Sequence, residues 1–233
     1  MKDNIDNKNI GNRKVIIELR YDAIASMIDK KGTIVEAIEK AKAFNVTQWE
    51  IGNEIVLRDN EEKNDASNVV FVAFNRLSFT SFNIDSVDSY YAKFKKIYEA
   101  VLSVLGTLNI RRIGCRIIGT YKTKSNTYSD VLANMKKLFP STFFFDQYPV
   151  KDMLFHIIYP NGMYEIGPLN IDDPFYEREF KSSKAQKHVG TIIDTDNYLT
   201  NETKAINDKE LIRDVYTLSL SVEKDLYVNL ANL

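Results

Sequence analysis

The segment "IRRIGCRIIGTY" (residues 110–121) decides the fold, because it repeats the character of "RKVIIELRYDA" (residues 13–23) near the start of the chain. In the earlier segment, apolar residues occupy every second position from Val15 to Tyr21, with mostly charged residues between them. Period-two alternation is typical of a half-buried strand. Each segment is followed by a short amphipathic helix, further strands and a long helix, so we predict that one order of elements occurs twice.

The elements outside these two strands have recognisable starts and stops. In the first half the runs "TQWEI", "EIVLRD", "VVFVAF" and "LSFTSFNI" predict four strands, and Ser86 and Gly106 bound a long helix. In the second half Thr127 is the expected cap of a short helix, and "PNG" (residues 160–162) predicts a hairpin. The runs "TFFFDQY", "DMLFHIIY", "MYEIG" and "HVGTIIDTDNYL" predict four more strands before a second long helix.

These elements predict an α+β fold of two βαββββα-like repeats that form an antiparallel sheet with helices on one face. We expect a disordered tail at residues 1–12, a first repeat at 13–108 and a second at 109–233. The order of elements resembles the TATA-binding-protein-like repeat and, less closely, the helix-grip fold. Such a resemblance in fold does not imply a function.

Composition restricts the classes of function. The 233 residues include 31 Lys and Arg against 32 Asp and Glu, so no net charge favours nucleic acid or an anionic membrane. Cys115 is the single cysteine, which excludes an intramolecular disulfide framework and indicates a cytoplasmic setting. The two histidines are too few for most His-based metal or catalytic sites. We predict no catalytic residues, no metal and no cofactor.

The pair Asp194 and Asp196 in "GTIIDTDNYL" is the first candidate site, since two residues two apart on a strand share one face. A metal needs more oxygen ligands than two carboxylates offer. If the first and last strands of a repeat are neighbours, Arg116 lies near both aspartates. We favour a structural ion pair or a solvated polar face over a ligand contact or a metal site.

A second candidate is an anion site on the polar faces of the two central strands. Arg112 and Arg116 could clamp a phosphate or carboxylate, with Arg20 beside them. The alternative, which we favour, is that each arginine is neutralised by a carboxylate nearby.

The polar segment at residues 170–186 contains three aromatic residues, Phe175, Tyr176 and Phe180. Long loops in compact domains are often functional, so these residues are candidates for docking a partner. A short amphipathic helix packed on its own domain explains them equally well.

Three strand segments together resemble an uncharacterised, sporadically distributed prokaryotic protein family. They are "VIIELRY", "RRIGCRIIGTY" and "IIDTDNYL", which are similar to the family's EIRF-like, RIGLRYIN-like and LDID-like motifs. The chain departs from these motifs at Ile117, Ile118 and Thr195. The resemblance implies a soluble prokaryotic protein of no established activity, in a defence or mobile-element context.

We therefore expect a non-enzymatic cytoplasmic protein that binds a protein partner or a second copy of itself. The alternative is a sensor that binds a small anionic ligand or nucleotide through the central arginines. An enzyme is the third and least favoured class, and neither nucleic acid nor a membrane is an expected partner.

Overall fold

The computed structural model describes residues 5–62, 65–84, 86–145, 147–180, 185–201 and 209–232. Within them the chain forms a mixed fold of helices and one antiparallel sheet. The strands are β1 (Ile10–Tyr21), β2 (Gln48–Ile51), β3 (Ile55–Arg58), β4 (Asn68–Ala73), β5 (Arg76–Phe82), β6 (Ile110–Tyr121), β7 (Phe155–Tyr159), β8 (Gly162–Leu169) and β9 (Gly190–Thr200). The helices are α1 (Lys31–Ala41), α2 (Val87–Leu105), α3 (Tyr128–Lys136), α4 (Phe175–Glu179) and α5 (Lys209–Leu230).

All nine strands belong to one sheet, in the order β2-β3-β4-β5-β1-β6-β9-β8-β7. The two long strands β1 and β6 are antiparallel neighbours near its centre, with Ile17 opposite Cys115. On either side of this pair lies the last strand of each half of the chain, since β1 pairs with β5 and β6 with β9. The expected antiparallel sheet is confirmed, and the strand neighbours assumed for Arg116 are those observed.

Four helices cover one face of the sheet. The main core packs alternate residues of β1 and β6, such as Ile17 and Ile113, against apolar positions of α1, α2 and α5. A second cluster places Met135 of α3 against Tyr121 and Ile193 on the same face. Burial of apolar side chains on one face is the main stabilising contribution in such a layer.

The helix ends predicted at Ser86, Gly106 and Thr127 are confirmed. The Ser86 hydroxyl accepts a hydrogen bond from the backbone N–H of Ser89, and Thr127 accepts one from that of Asp130. Gly106 follows α2 with φ of 80°, a conformation that favours glycine. The predicted hairpin between β7 and β8 turns at Asn161, where φ is 66°.

Helix α4 lies on the other face of the sheet. Its residues Phe175 and Tyr176, with Phe180 just beyond, are buried in a third cluster that includes Ile118 and Ile192. The short amphipathic helix that we considered for this segment is therefore what the structure shows. These aromatic side chains are buried within the chain itself, and their role in docking a partner stays a prediction.

Two expectations about element positions are wrong. β1 begins at Ile10 and Ile5 is buried, so part of the tail expected at residues 1–12 belongs to the fold, and residues 1–4 of that tail lie outside the described residues. The described part of "TFFFDQY" contains no strand, because Ser141–Phe143 form a 3-10 turn directly after Pro140. Phe143, Phe145 and Tyr148 of this run are exposed. Among the described residues, the second half thus has three strands after its short helix, and not the four that we expected.

A buried polar cluster joins β1 to α5. The Glu223 carboxylate of α5, fully buried, accepts hydrogen bonds from the Arg13 guanidinium and the Tyr121 hydroxyl. The carboxylate is compensated by a cation and a hydroxyl donor, as buried charges require. This cluster was not anticipated from the sequence.

Candidate functional site

The face of the sheet opposite the four covering helices is here called the helix-free face, since apart from the short helix α4 at one corner no described helix packs on it. One row of its side chains crosses all nine strands, because neighbouring residues in the register share a face. From β2 to β7 the row is Gln48, Arg58, Val69, Thr80, Ile16, Arg116, Asp196, Met163 and Ile158. Apolar residues on β4 and β1 thus adjoin charged residues on β3, β6 and β9.

Arg116 and Asp194 form a two-point ion pair on this face. The Nε and Nη2 donors of Arg116 lie 2.9 and 2.6 Å from the two Asp194 oxygens. The aspartate side chain is only 3% exposed, whereas the arginine is 40% exposed. Burial raises the pKa of Asp194 although Arg116 opposes that shift, and the hydrogen bonds from Arg116 to Asp194 raise the pKa of Arg116. The predicted pairing is confirmed, with Asp194 rather than Asp196 as the direct partner.

Asp196 faces a different arginine. The Arg112 guanidinium lies 3.5 Å from Asp196 and 3.4 Å from Glu18, and it stacks over the Tyr198 ring at 4.9 Å. Burial raises the pKa of Asp196, with the nearby arginines acting against that shift. Arg112 is therefore shared between two carboxylates rather than left open to a ligand.

Arg20 also has an internal partner. Its Nε donates to Glu18 at 2.7 Å, and Arg76 approaches the same carboxylate at 3.9 Å. All five predicted ligand-binding residues lie on the helix-free face, and each arginine among them contacts a carboxylate. This arrangement matches the alternative of internal neutralisation, and anion binding by these residues stays a prediction.

A groove on the same face, called here the Arg58 groove, was missed by sequence reasoning. It has a volume of about 320 Å³. Its floor comes from β3, β4, β5 and β1, and its far wall from Arg178, Glu179 and Phe180 at the end of α4. Lys14 closes one side, where its amine lies 2.7 Å from the Glu179 carboxylate.

Arg58 is almost completely buried at the β3 side of the groove. Its side chain is 6% exposed and donates through Nη2 to Glu50, which is itself 59% exposed. The Nε–H of Arg58 is also buried and has no acceptor among the described residues. A buried donor without an acceptor costs free energy that a suitable ligand atom would recover.

Only a weak signal in the sequence pointed to this groove. Arg58 ends the apolar run "IVLR", where a cation at a strand end is normally solvated. Arg58 lies between β2 and β4 in the sheet, and local patterning cannot place these neighbouring strands. The sequence pattern did, however, assign Lys14 to the same face as Glu18 and Arg20.

Comparison with known proteins gave no match to any protein-family model and none to any curated protein. Of the helices in the described residues, none combines the length and apolar character that a membrane span requires. The same residues contain no group of three or more His, Cys, Asp or Glu side chains arranged to hold a metal ion.

Proposed function

We propose that this chain is a non-enzymatic binding protein that holds a protein partner on its helix-free face. One observation carries the proposal: four helices bury one side of the sheet, whereas α4 covers only a corner of the other. Apolar side chains at Ile16, Val69 and Phe71 stay partly exposed there. A solvated face of an antiparallel sheet is normally polar, so exposed apolar residues beside paired charges support a binding surface.

The internal duplication and the family resemblance belong to the same proposal. The three motif segments lie on β1, β6 and β9, which are adjacent strands in the middle of the sheet. Each half of the chain begins with a long strand, and the last strand of that half pairs beside it. This arrangement supports two related repeats in a TATA-binding-protein-like sheet. Membership of the sporadically distributed prokaryotic family rests on the resemblance of the three segments alone.

We also propose a cytoplasmic location, which the single cysteine supports. The resemblance to the prokaryotic family is the ground for a defence or mobile-element context. Cys115 is buried on β6 as a free thiol. A reducing compartment suits a chain that has no second cysteine to pair with.

The second candidate function is a sensor of a small anion or nucleotide. Three arginines, Arg20, Arg112 and Arg116, meet on the helix-free face, and this observation favours it. Their carboxylate partners weaken the case, because a ligand would have to displace an internal ion pair.

Site-specific photocrosslinking in the cells that make the protein tests the leading proposal. A benzophenone amino acid replaces Phe71 on the helix-free face or, as the control, Lys95 on the exposed surface of α2. We expect a covalent adduct with another protein from position 71 and none from position 95. Adducts formed only from position 95, or from neither position, contradict the proposal. A crosslinked dimer of this chain identifies the partner as a second copy.

A further inference from the structure

The Arg58 groove has an apolar floor with a row of residues in direct register. Val69, Thr80 and Ile16 lie side by side on β4, β5 and β1, continuing the row that starts at Arg58. Phe71 and Phe82 flank this row on the same face. An apolar body would therefore lie on aliphatic and aromatic side chains along the floor, with Arg58 at one end.

The charges around the groove favour an anion. Lys14, Arg58 and Arg178 line it, and Glu179 is the carboxylate among the lining residues. Lys14 and Arg178 both contact Glu179, at 2.7 and 2.9 Å, so these two cations share one carboxylate. One positive charge remains in excess even when Glu50, the partner of Arg58, is counted.

Arg58 supplies the second, independent observation. Its guanidinium is withdrawn from solvent and one of its donors has no acceptor among the described residues, while Glu50 contacts it from the mostly exposed edge strand β2. A guanidinium presents its donors in a planar fork that matches two carboxylate oxygens. Arg58 thus lines the groove and has a donor, Nε–H, that no described residue uses.

We propose that the Arg58 groove binds a small amphipathic carboxylate, with its anionic group on Arg58 and its apolar body over Val69, Phe71 and Phe82. The volume of about 320 Å³ is at the lower end of the range for small-molecule sites, which favours a compact ligand over a folded partner. The inference goes beyond the proposed function, because it names a ligand class for the Arg58 groove and does not require a protein partner on the rest of the face.

Isothermal titration calorimetry with three probes tests the ligand class. The probes are 4-phenylbutanoate, 4-phenylbutanol as the neutral match in shape, and inorganic phosphate as an anion without an apolar body. We expect 4-phenylbutanoate to bind with a dissociation constant at or below about 1 mM, and the other two at least about tenfold more weakly. Equal binding of the alcohol or of phosphate, or no binding of 4-phenylbutanoate, overturns the proposal.

Substitutions at the charged end locate the site. Arg58→Met and Arg58→Lys should each weaken binding of 4-phenylbutanoate by about tenfold or more, since both lack the guanidinium fork. Glu50→Gln removes the carboxylate that competes with the ligand for Arg58, so this variant should bind 4-phenylbutanoate several-fold more tightly. If the Arg58–Glu50 pair were purely structural, Glu50→Gln would not tighten binding. Arg111→Met, at an exposed ion pair on β6, is the control and should leave the affinity unchanged.

The variants remain informative if one of them is unstable. Arg58→Met leaves Glu50 largely in solvent, so it strands no buried carboxylate. If it nevertheless fails to fold, Arg58→Lys and Glu50→Gln decide, and unchanged affinity in both contradicts the proposal. If 4-phenylbutanoate does not bind but position 71 forms a crosslink to another protein, the groove proposal fails and the proposed protein-binding function stands. Binding of the probe without any crosslink would reject that function and retain the groove.

Discussion

Arg116 is the residue whose substitution tests the central ion pair. Arg116→Met leaves the Asp194 carboxylate buried without its cation. We expect a loss of about 2 kcal/mol in the free energy of unfolding, less than for a fully buried pair because water reaches the half-exposed arginine. Adding Asp194→Asn should recover at least half of the loss, since the neutral amide avoids the stranded charge. Urea unfolding followed by circular dichroism measures both effects.

The pH dependence and an exposed control sharpen this prediction. Without Arg116, burial raises the folded-state pKa of Asp194 further above its ordinary value of 3.8, so the folded variant takes up a proton before the unfolded chain does. The deficit at pH 7 should therefore shrink as the pH falls towards that raised pKa. Arg111 pairs with Asp22 in the same two-point geometry but in solvent, and Arg111→Met should leave the free energy of unfolding almost unchanged. Equal losses for both arginines would contradict the structural role of Arg116.

The two arginines differ in how far the sequence could predict them. Arg116 could be placed beside Asp194 and Asp196 from the sequence, because this needs only strand alternation and the assumption that the first and last strands of a repeat are neighbours. The choice between the two aspartates was not predictable, since it depends on side-chain reach across the register of β6 and β9. Arg58 was missed because its surroundings depend on the pairing of β3 with β2 and β4, which is not a local property of the sequence.

At the scale of elements, alanine substitutions at two glycines test two different effects, helix propensity in one case and backbone packing in the other. Gly32 lies in the first turn of α1, and a Cβ there would have no neighbouring atom within 4 Å. Gly32→Ala should therefore stabilise the protein by about 0.5 kcal/mol, because alanine loses less conformational freedom on folding.

Gly190, at the start of β9, is the matched opposite case. A Cβ at this position would lie 2.0 Å from the Tyr121 carbonyl oxygen on the adjacent strand. Gly190→Ala should cost about 2–3 kcal/mol, since backbone must move to admit the methyl group. Thermal unfolding of both variants provides the measurement. A stabilising Gly190→Ala would show that β6 and β9 are not as close as described.

Elements defined by strong local signals were predictable, and those defined by their surroundings were not. The caps at Ser86 and Thr127 and the turn at Asn161 depend on a few adjacent residues, and all three were identified. The aromatic run at residues 142–148 has strand-like composition, but its described part pairs with none of the nine strands, so propensity alone gave the wrong assignment. The start of β1 at Ile10 was missed for a similar reason, because its pairing with Tyr121 is a long-range contact.

At the scale of the whole molecule, the two halves share one sheet and one covering layer of helices. β1 and β6 pair along almost their full lengths, and the buried Arg13–Glu223 contact ties the first strand to the last helix. The sequence predicted the layers and the class of fold, since hydrophobic periodicity determines which faces are covered. It did not predict α4 on the opposite face or the groove that α4 completes.

The single native cysteine makes the helix-free face directly measurable. Burial raises the pKa of Cys115 to about 12, so the native thiol should not react with a maleimide while the protein is folded. An introduced cysteine then reports on its own position alone. Arg20 on the helix-free face and Lys95 on α2 are well matched, with side chains 58% and 62% exposed.

Maleimide labelling of Arg20→Cys and Lys95→Cys, in the cells that make the protein and after purification, tests the use of the helix-free face most directly. If that face holds a protein partner, labelling at position 20 should be several-fold slower in cells than in the purified chain. The rate of labelling at position 95 should be the same in cells as in the purified chain, which makes the ratio of these two rates the quantity to compare between positions. Equal ratios at the two positions, or protection at position 95 alone, would contradict the assignment of the helix-free face as the binding surface.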